Sequence, residues 1–497
     1  MSGDASTVHD TEAPVAPGTG LVRVESARIA NLRGLTDCTV ALEPGLTLLI
    51  GRNSSGKSRI LRALALSFGT TASADDFTVG SEAEPTVDVV LAPASKGAQE
   101  FDSRVSSIFG QHVQLTSADG AERIAWRTTV RRSAEGWGGR IDTRFLRWDV
   151  PTTSWRLPEH AAAPDRIQRN IVVADLVETG RDLAAELSRP GSAVRRVLSD
   201  LDVPQQQRQP LEDALKDLGS RIVDQSNTLD AVRTRLQQLQ QTVGSIGSPD
   251  VHALPGRLEE LVRLVEIGLD TGNGGLPMRL HGSGARSLSS LQIQSVLYDR
   301  RIGKDGGAVP THALTLLEEP ESHLHPQACL ELGALLLSIP GQMVASTHSP
   351  HLVSTVATSS LRLVRQVNGR TVVRDLNPVQ AAAGTPTALR LDVSVVEWEK
   401  IKRLVERPFG EILFAHGIVI GDGASERAFI PYLLSHAFGA GSAGICVVDP
   451  NGMTNAKPPI KYAEAADIPC IVFLDGDSQG RKDEKSLPDY ASVACCK

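Results

Sequence analysis

Short apolar runs broken by turn residues open the readable part of the chain. Residues 21–51, LVRVESARIANLRGLTDCTVALEPGLTLLIG, give a series of strands that closes on Leu46 to Ile50. Alternation of period two marks a strand with one buried face, and a compact apolar run bounded by turns marks one buried on both. A helical pattern follows from Lys57 to Phe68, and residues from Thr86 to Val150 alternate again, as in an antiparallel lobe. From Asp182 to Asp270 the texture changes to Gln, Arg, Leu, Asp and Glu. Leu211, Leu215, Leu218, Ile222, Leu229, Val232, Leu236, Leu239 and Val243 fall in alternating steps of four and three, with Gln225 in the missing seam position. This a/d heptad pattern predicts a coiled-coil-like helix. GSIGSPDVHALPG breaks it, and Arg257 to Leu269 resumes as the second arm of a helical hairpin. The seam serves either a coiled coil or packing on the chain's own core. Strand and helix patterns return at Ala313. Leu361 to Val373, with Asn368-Gly369 in the middle, predicts a tight β-hairpin. A helical linker from Asp392 to Arg407 leads to a last α/β unit from Glu411.

Composition narrows the class. The chain has 497 residues, 41% hydrophobic and 22% charged, as expected for a globular protein of several domains. A formal net charge of -7 gives no bulk argument for nucleic-acid binding, so any such surface is a local patch. The six cysteines show no zinc-type spacing and read as reduced thiols. There is no apolar run of about 18 residues, and the first twenty residues lack the basic start and apolar block of a signal peptide. They are expected to be a disordered tail, and the protein to be cytoplasmic with no membrane partner.

The chemistry concentrates at strand ends. Gly51-Arg52-Asn53-Ser54-Ser55-Gly56-Lys57-Ser58 fits G-x-x-x-x-G-K-[ST] between an apolar strand and a helix. Glycines let backbone N–H groups curl around phosphate oxygens, and the helix N-terminus favours the anion. Lys57 is expected at the β- and γ-phosphates and the Ser58 hydroxyl on Mg²⁺. Gly51, Asn53, Ser54, Ser55, Gly56, Lys57, Ser58 and Arg59 make up the expected ATP-binding set. The apolar strand Ala313 to Leu317 ends in Glu318-Glu319-Pro320-Glu321. Glu318 is assigned to the metal, and Glu319 to accepting a proton from the attacking water. His348, in Ser346-Thr347-His348-Ser349-Pro350-His351 after another apolar stretch, is either a structural histidine or, as its order after the carboxylates favours, one that senses the γ-phosphate and orients the water. Farther on, strand-like runs end at Asp422 and Glu426 and at Asp475 and Asp477, a set of hard oxygen ligands suited to Mg²⁺. Arg127, Arg131, Arg132, Arg140, Arg144 and Arg147 cluster with Trp126, Trp137, Phe145 and Trp148. They form either a DNA-binding patch or, as the stronger reading, an ordinary hairpin with a charged outer face and an apolar inner one.

EEPESHLHP and STHSPHLV resemble the Walker B/D-loop and switch-histidine segments of the ABC-type ATPases of the SMC and OLD group. The resemblance implies a signature loop ahead of Walker B. HGSGARS, with Ser283 and Gly284, is the candidate, although it departs from the usual LSGGQ string. It also implies a dimer in which the signature of one subunit completes the ATP site of the other. The C-terminal half resembles a Toprim domain: Asp422-Gly423 to Glu426 matches the acidic-glycine motif, and Asp475-x-Asp477 the DxD motif. The first acid is usually Glu, so Asp422 puts cutting in doubt. The ending ASVACCK reads as an interrupted domain.

The fold class is therefore expected to be α/β: an ABC-type P-loop ATPase domain with a helical coiled-coil-like insertion, followed by a Toprim domain. Residues 1–20 are the tail, 21–180 and 271–391 the two parts of the ATPase domain, 181–270 the dimerisation or clamp insertion, 392–410 a linker, and 411–497 the Toprim-like domain. The resemblance implies an ATP-dependent, Mg²⁺-dependent DNA endonuclease of OLD type acting against phage or other foreign DNA. Its implied partners are DNA, a second copy or a higher homo-oligomer, and a helicase-like protein. The alternative is an ATP-switched DNA clamp or signalling scaffold whose Toprim fold does not cut.

Overall fold

A computed structural model describes residues 20–116, 120–132, 139–177, 203–229, 232, 254, 257–258, 268–270, 275–282, 286, 289, 311–322, 324–375, 410–421, 423–439, 444–450, 452–475, 480–485, 487 and 492–496. The chain divides into two compact units, Met1–Thr179 with Tyr298–Lys497, and Gly180–Leu297.

In chain order the first strands are β1 (Val22–Leu32), β2 (Leu35–Ala41), β3 (Leu46–Ile50), β4 (Thr86–Pro93), β5 (Gln114–Leu115), β6 (Glu122–Arg132), β7 (Gly139–Phe145), β8 (Arg147–Asp149), β9 (Ser154–Arg156) and β10 (Val172–Val177). The short pairs β8–β9 and β11 (Gly268–Asp270)–β12 (Gly275–Pro277) are local hairpins. The later strands are β13 (His312–Glu318), β14 (Gln342–Thr347), β15 (Leu361–Val367), β16 (Arg370–Asp375), β17 (Gly417–Ile420), β18 (Ile445–Val448), β19 (Cys470–Asp475) and β20 (Ser492–Cys496). The helices are α1 (Lys57–Ser67), α2 (Ser103–Phe109), α3 (Arg166–Arg169), α4 (Gln205–Gln225), α5 (Pro326–Ser338), α6 (Pro350–Val353), α7 (Ala424–Phe438), α8 (Lys457–Ala465) and α9 (Gly480–Glu484).

Three sheets build the first unit. An antiparallel sheet runs β2-β1-β4-β6-β5, with β7 also on β6. A second sheet runs β10-β13-β14-β3-β15-β16; its strands are parallel except for the β15–β16 hairpin. The third, β18-β17-β19-β20, is parallel throughout. Helix α1 lies between the first two sheets, against β1, β4 and β6 on one side and β10, β13 and β14 on the other. Enclosure from both sides explains why α1 is buried around most of its circumference, at Ile60, Leu61, Leu64 and Leu66 as well as at its small residues. Glycine at the N-cap and two neighbouring sheets therefore fix where the helix begins.

Two polar braces tie the layers. Gln342 of β14 donates through Nε2 to the Val24 and Glu43 carbonyls at 2.7 and 2.8 Å, and its Oε1 accepts from Val24 N at 2.9 Å. Arg362 of β15, 2% exposed, reaches the Ala41 carbonyl at 2.7 Å and Glu43 at 3.0 Å.

In the second unit, α4 carries the start of the heptad run. Leu211, Leu218 and Ile222 on its seam are exposed, while Val223 on another face is buried. The seam therefore does not pack on this chain's own core at those positions. The helix also stops sooner than the heptad pattern predicts: Ser226 takes φ −97° and ψ 106°, dividing the run after Gln225. The seam positions Leu236, Leu239 and Val243 lie outside the described residues.

The β6–β7 hairpin bears out the ordinary reading of its aromatics. Trp126 and Phe145 are buried and meet edge to face with centroids 6.5 Å apart. Arg127 pairs with Asp88, and Arg131 and Arg144 share Asp142. Arg132 stacks over Phe77 at 4.5 Å. Trp126 and Phe145 are core and Arg127, Arg131 and Arg144 are laced to carboxylates, while Trp148 is half-buried edge to face with Trp155. Trp137 lies outside the described residues.

Candidate functional site

The site forms where β13, β14 and β3 run side by side in parallel and end together. Each C-terminal end delivers one segment: β3 the glycine loop, β13 the glutamates, β14 the histidine. Carboxyl ends of parallel strands are where open α/β sheets hold ligands.

The loop is shaped by backbone conformations that few side chains tolerate. Gly51 has φ +148°, Ser54 +62° and Gly56 +115°. A Cβ on Gly51 would lie 2.2 Å from the Val364 carbonyl oxygen, so only glycine lets β3 leave the sheet there. Lys57 opens α1 and folds back, donating from Nζ to the Gly51 and Arg52 carbonyls at 2.8 and 2.9 Å. Burial pushes its ammonium down to about 8, opposed by the negative charges of Glu319, Glu321 and Glu318. Lys57 thus shares one electrostatic environment with all three carboxylates, from segments more than 250 positions away in sequence.

Glu318 ends β13 in register with Ser346. Glu319 leaves the strand with φ +42°, a left-handed conformation that costs a non-glycine residue on the order of 1 kcal/mol or more. Its amide is held by the Ser346 carbonyl at 3.1 Å and by Ser346 Oγ at 3.3 Å. The turn aims the carboxylate at His348, whose Nε2 lies 3.4 Å from Glu319 Oε1. Burial pushes the His348 imidazole down, Lys57 pushes it the same way, and Glu319 opposes both.

Sequence reasoning overlooked Glu321. Its Oε1 accepts from Thr347 Oγ1 at 2.6 Å and from the His348 amide at 2.7 Å. Burial raises its carboxyl above the usual range. The only sequence signal was that EEPE holds a third acid after the two given roles.

These residues fit a nucleoside triphosphate with a divalent cation. Glycines at 51 and 56 pack the loop against Val364, Leu35 and Thr371 in backbone conformations a side chain would block, and the buried Ser55 Oγ lacks a hydrogen-bond partner among the described residues. A carboxylate ends the adjacent strand, and hard oxygen donors suit Mg²⁺. Asn53 and Ser54 are exposed on the loop, and Ser58 is exposed in the first turn of α1. Arg59 extends toward the β1–β2 turn, where its Nη1 would lie 3.3 Å from a Cβ on Gly34. Ser283 and Gly284 lie outside the described residues.

The second expected site is described in part. β17 and β19 are parallel neighbours, and α7 follows β17 directly. A Cβ on Gly421 would lie 2.5 Å from Glu426 Cβ, and one on Gly423 3.3 Å from Glu426 Oε2. Glycine at both positions lets the Glu426 carboxylate lie over the end of β17. The backbone of Asp475 ends β19, while its side chain and all of Asp422 and Asp477 lie outside the described residues. Among the described residues no three His, Cys, Asp or Glu side chains form a metal-holding group.

Residues 23–107 match the AAA ATPase domain family, and residues 413–477 match the Overcoming lysogenization defect protein-like TOPRIM domain. Residues 306–384, which include Glu318, Glu319 and His348, match a protein family of unknown function, DUF2813. The OLD nuclease of Thermus scotoductus is 25% identical over 475 residues, spanning 90% of this chain and 81% of that protein. The chain thus joins an AAA-type ATPase domain to an OLD-like TOPRIM domain. A second relative, the uncharacterised protein YbjD of Escherichia coli K12, is 30% identical over 173 residues, 34% of this chain and 28% of YbjD. Among solved structures, the SMC head domain from Thermotoga maritima covers 72% of this chain and all of its own length at 15% identity and a TM-score of 0.34. An Smc head domain from Pyrococcus furiosus, bound to the C-terminal domain of ScpA, covers 71% and 96% at 12% identity and a TM-score of 0.38. Among the described residues no helix is long and apolar enough to cross a membrane.

Proposed function

We propose that this chain binds and hydrolyses ATP with Mg²⁺ and that the ATPase governs Mg²⁺-dependent cleavage of DNA by its Toprim domain. The observation that carries the ATPase reading is the meeting of Lys57, Glu318, Glu319 and His348 at three adjacent strand ends. Gly51, Asn53, Ser54, Ser55 and Gly56 surround the phosphates, and Lys57 supplies a fixed positive charge to them. Ser58 and Glu318 hold the cation, which neutralises charge developing on the transferred phosphoryl group. Glu319 takes the proton of the attacking water. His348, its imidazole pushed toward the neutral form, orients that water beside Glu319. The role of Arg59 is left to a rim position, since its guanidinium extends toward the β1–β2 turn.

Ser283 and Gly284 complete the site of a second copy, so ATP closes a dimer. Residues 181–270 form the dimerisation or clamp insertion, a role that suits the exposed seam of α4. Asp422, Glu426, Asp475 and Asp477 hold the metal that acts on the phosphodiester. The nuclease reading rests on the Toprim match and on the OLD nuclease relative, and from that relationship we also infer action against foreign DNA in the cytoplasm, with a helicase-like partner.

The test uses purified protein. Lys57→Ala should lose nucleotide binding, and Glu319→Gln should bind ATP and stall. Plasmid incubated with Mg²⁺ should be cut by the native chain and spared by the Asp475→Ala/Asp477→Ala double variant. Normal turnover by Glu319→Gln removes the ATPase assignment, and equal cutting by the double variant removes the nuclease assignment.

A further inference from the structure

We infer that Glu321 is a positioning residue for ATP hydrolysis, clasping the histidine loop so that His348 is presented to Glu319. The inference rests on the ATPase reading of the same site and adds a residue to it. Glu321 Oε1 accepts from two consecutive points of the loop after β14, the Thr347 hydroxyl at 2.6 Å and the His348 amide at 2.7 Å. Two bonds to neighbouring residues from one oxygen fix both the position and the tilt of the 347–348 peptide. The direction of the His348 side chain follows from that peptide, and its Nε2 arrives 3.4 Å from Glu319 Oε1.

The clasp is extended on its far side. Thr347 Oγ1, while donating to Glu321, accepts from the Ser349 amide at 2.9 Å. Ser349 Oγ in turn caps α6, accepting from Leu352 N at 3.3 Å. One carboxylate therefore anchors the whole turn from β14 into α6 to the glutamate loop.

Its other oxygen argues against mere packing. Glu321 Oε2 is buried with no hydrogen-bond partner among the described residues. A buried acceptor left unsatisfied is costly, and a glutamine in its place would offer an acceptor to the same two donors without the charge. The carboxylate thus keeps one unmet acceptor, and its charge bears on Lys57.

The experiment measures ATP affinity, kcat and melting temperature for Glu321→Ala, Glu321→Gln and Thr347→Val, with Glu319→Gln and His348→Ala as references. Misplacing a catalytic group by about 1 Å costs on the order of 100-fold. Glu321→Ala should therefore lose kcat on that order with ATP affinity unchanged, and Glu321→Gln should recover most of it through its amide oxygen. Thr347→Val, which removes one of the two bonds, should lose about ten-fold. It stands in if Glu321→Ala does not fold. In a His348→Ala background, Glu321→Ala should cost nothing further, because both changes remove the same orientation. Normal kcat in both Glu321→Ala and Thr347→Val overturns the inference. So does an equal added loss in the His348→Ala background, or a fall in ATP affinity that accounts for the whole effect. If Glu319→Gln itself turns over normally, the ATPase reading of the site has failed instead.

Discussion

His312 is fully buried at the start of β13, and its Nε2 lies 3.1 Å from Gln342 Oε1. Because Gln342 Nε2 is spent on two carbonyls, Oε1 faces the imidazole and Nε2 of His312 is the donor. Its Nδ1 then has no partner among the described residues, and burial pushes the imidazole down to about 4. Unfolding restores an ordinary value near 6.5, so the unfolded chain binds the proton first as pH falls. The stabilisation is complete above about 6.5 and is lost progressively toward pH 4, by roughly 3 kcal/mol in all. His312→Leu should flatten the fall in melting temperature between pH 6.5 and 4, measured by thermal denaturation against the native chain. Because the imidazole bonds the glutamine that links β14 to β1, the same substitution should lower melting temperature at pH 7.5. At the nucleotide site the residue-scale lesson is different. Lys57, Glu318, Glu319 and His348 were legible because each occupies a fixed offset from an apolar strand. Glu321 was not, because its meaning lies in a bond to Thr347, 26 positions away, and no local pattern encodes that pairing.

At the level of elements, periodicity placed β3, α1, β13, β14 and the β15–β16 hairpin close to where they form. Both faces of each parallel strand are covered, which writes a continuous apolar run, and the hairpin turn is written by Asn368-Gly369, both at positive φ. Strand order was hidden. Nothing in VVADLV, residues 172–177, announces that β10 joins β13 at the edge of the sheet. The heptad run misled on length, since a seam pattern does not register the break at Ser226. Of the Toprim unit, the sequence put Asp475 at a strand end, where its backbone ends β19, and did not disclose the placement of Glu426 over glycines 421 and 423. The tightest constraint on an element is Gly51, where Ile50 pairs with Leu363 and the loop must clear the next carbonyl. Gly51→Ala should shift the end of β3, lowering stability by about 2–4 kcal/mol and abolishing nucleotide binding. Chemical denaturation and a fluorescent-nucleotide titration check the two effects separately. Retained binding would show that the loop has slack that the close approach to Val364 denies.

The whole molecule presents an exposed apolar seam and an ATP site that is expected to need a second copy. Leu211, Leu218 and Ile222 are exposed on α4, an arrangement that suits burial against another chain. Leu218→Glu with Ile222→Glu should shift the protein from dimer toward monomer in sedimentation, leaving the melting temperature of the monomer unchanged because neither side chain is buried within it. A dimer that persists in the double variant would place self-association elsewhere. The segment leading into the C-terminal sheet also lies against the element that follows the histidine loop. Helix α6, which begins two residues after His348, packs against Gly410–Phe414, and β17 starts three residues later. Packed interiors have low compressibility and pass displacement on rather than absorbing it. A displacement of the histidine loop would therefore be felt through α6 at the segment before β17. Helix α6 thus has the histidine loop at one end and the segment that introduces the C-terminal sheet against its side.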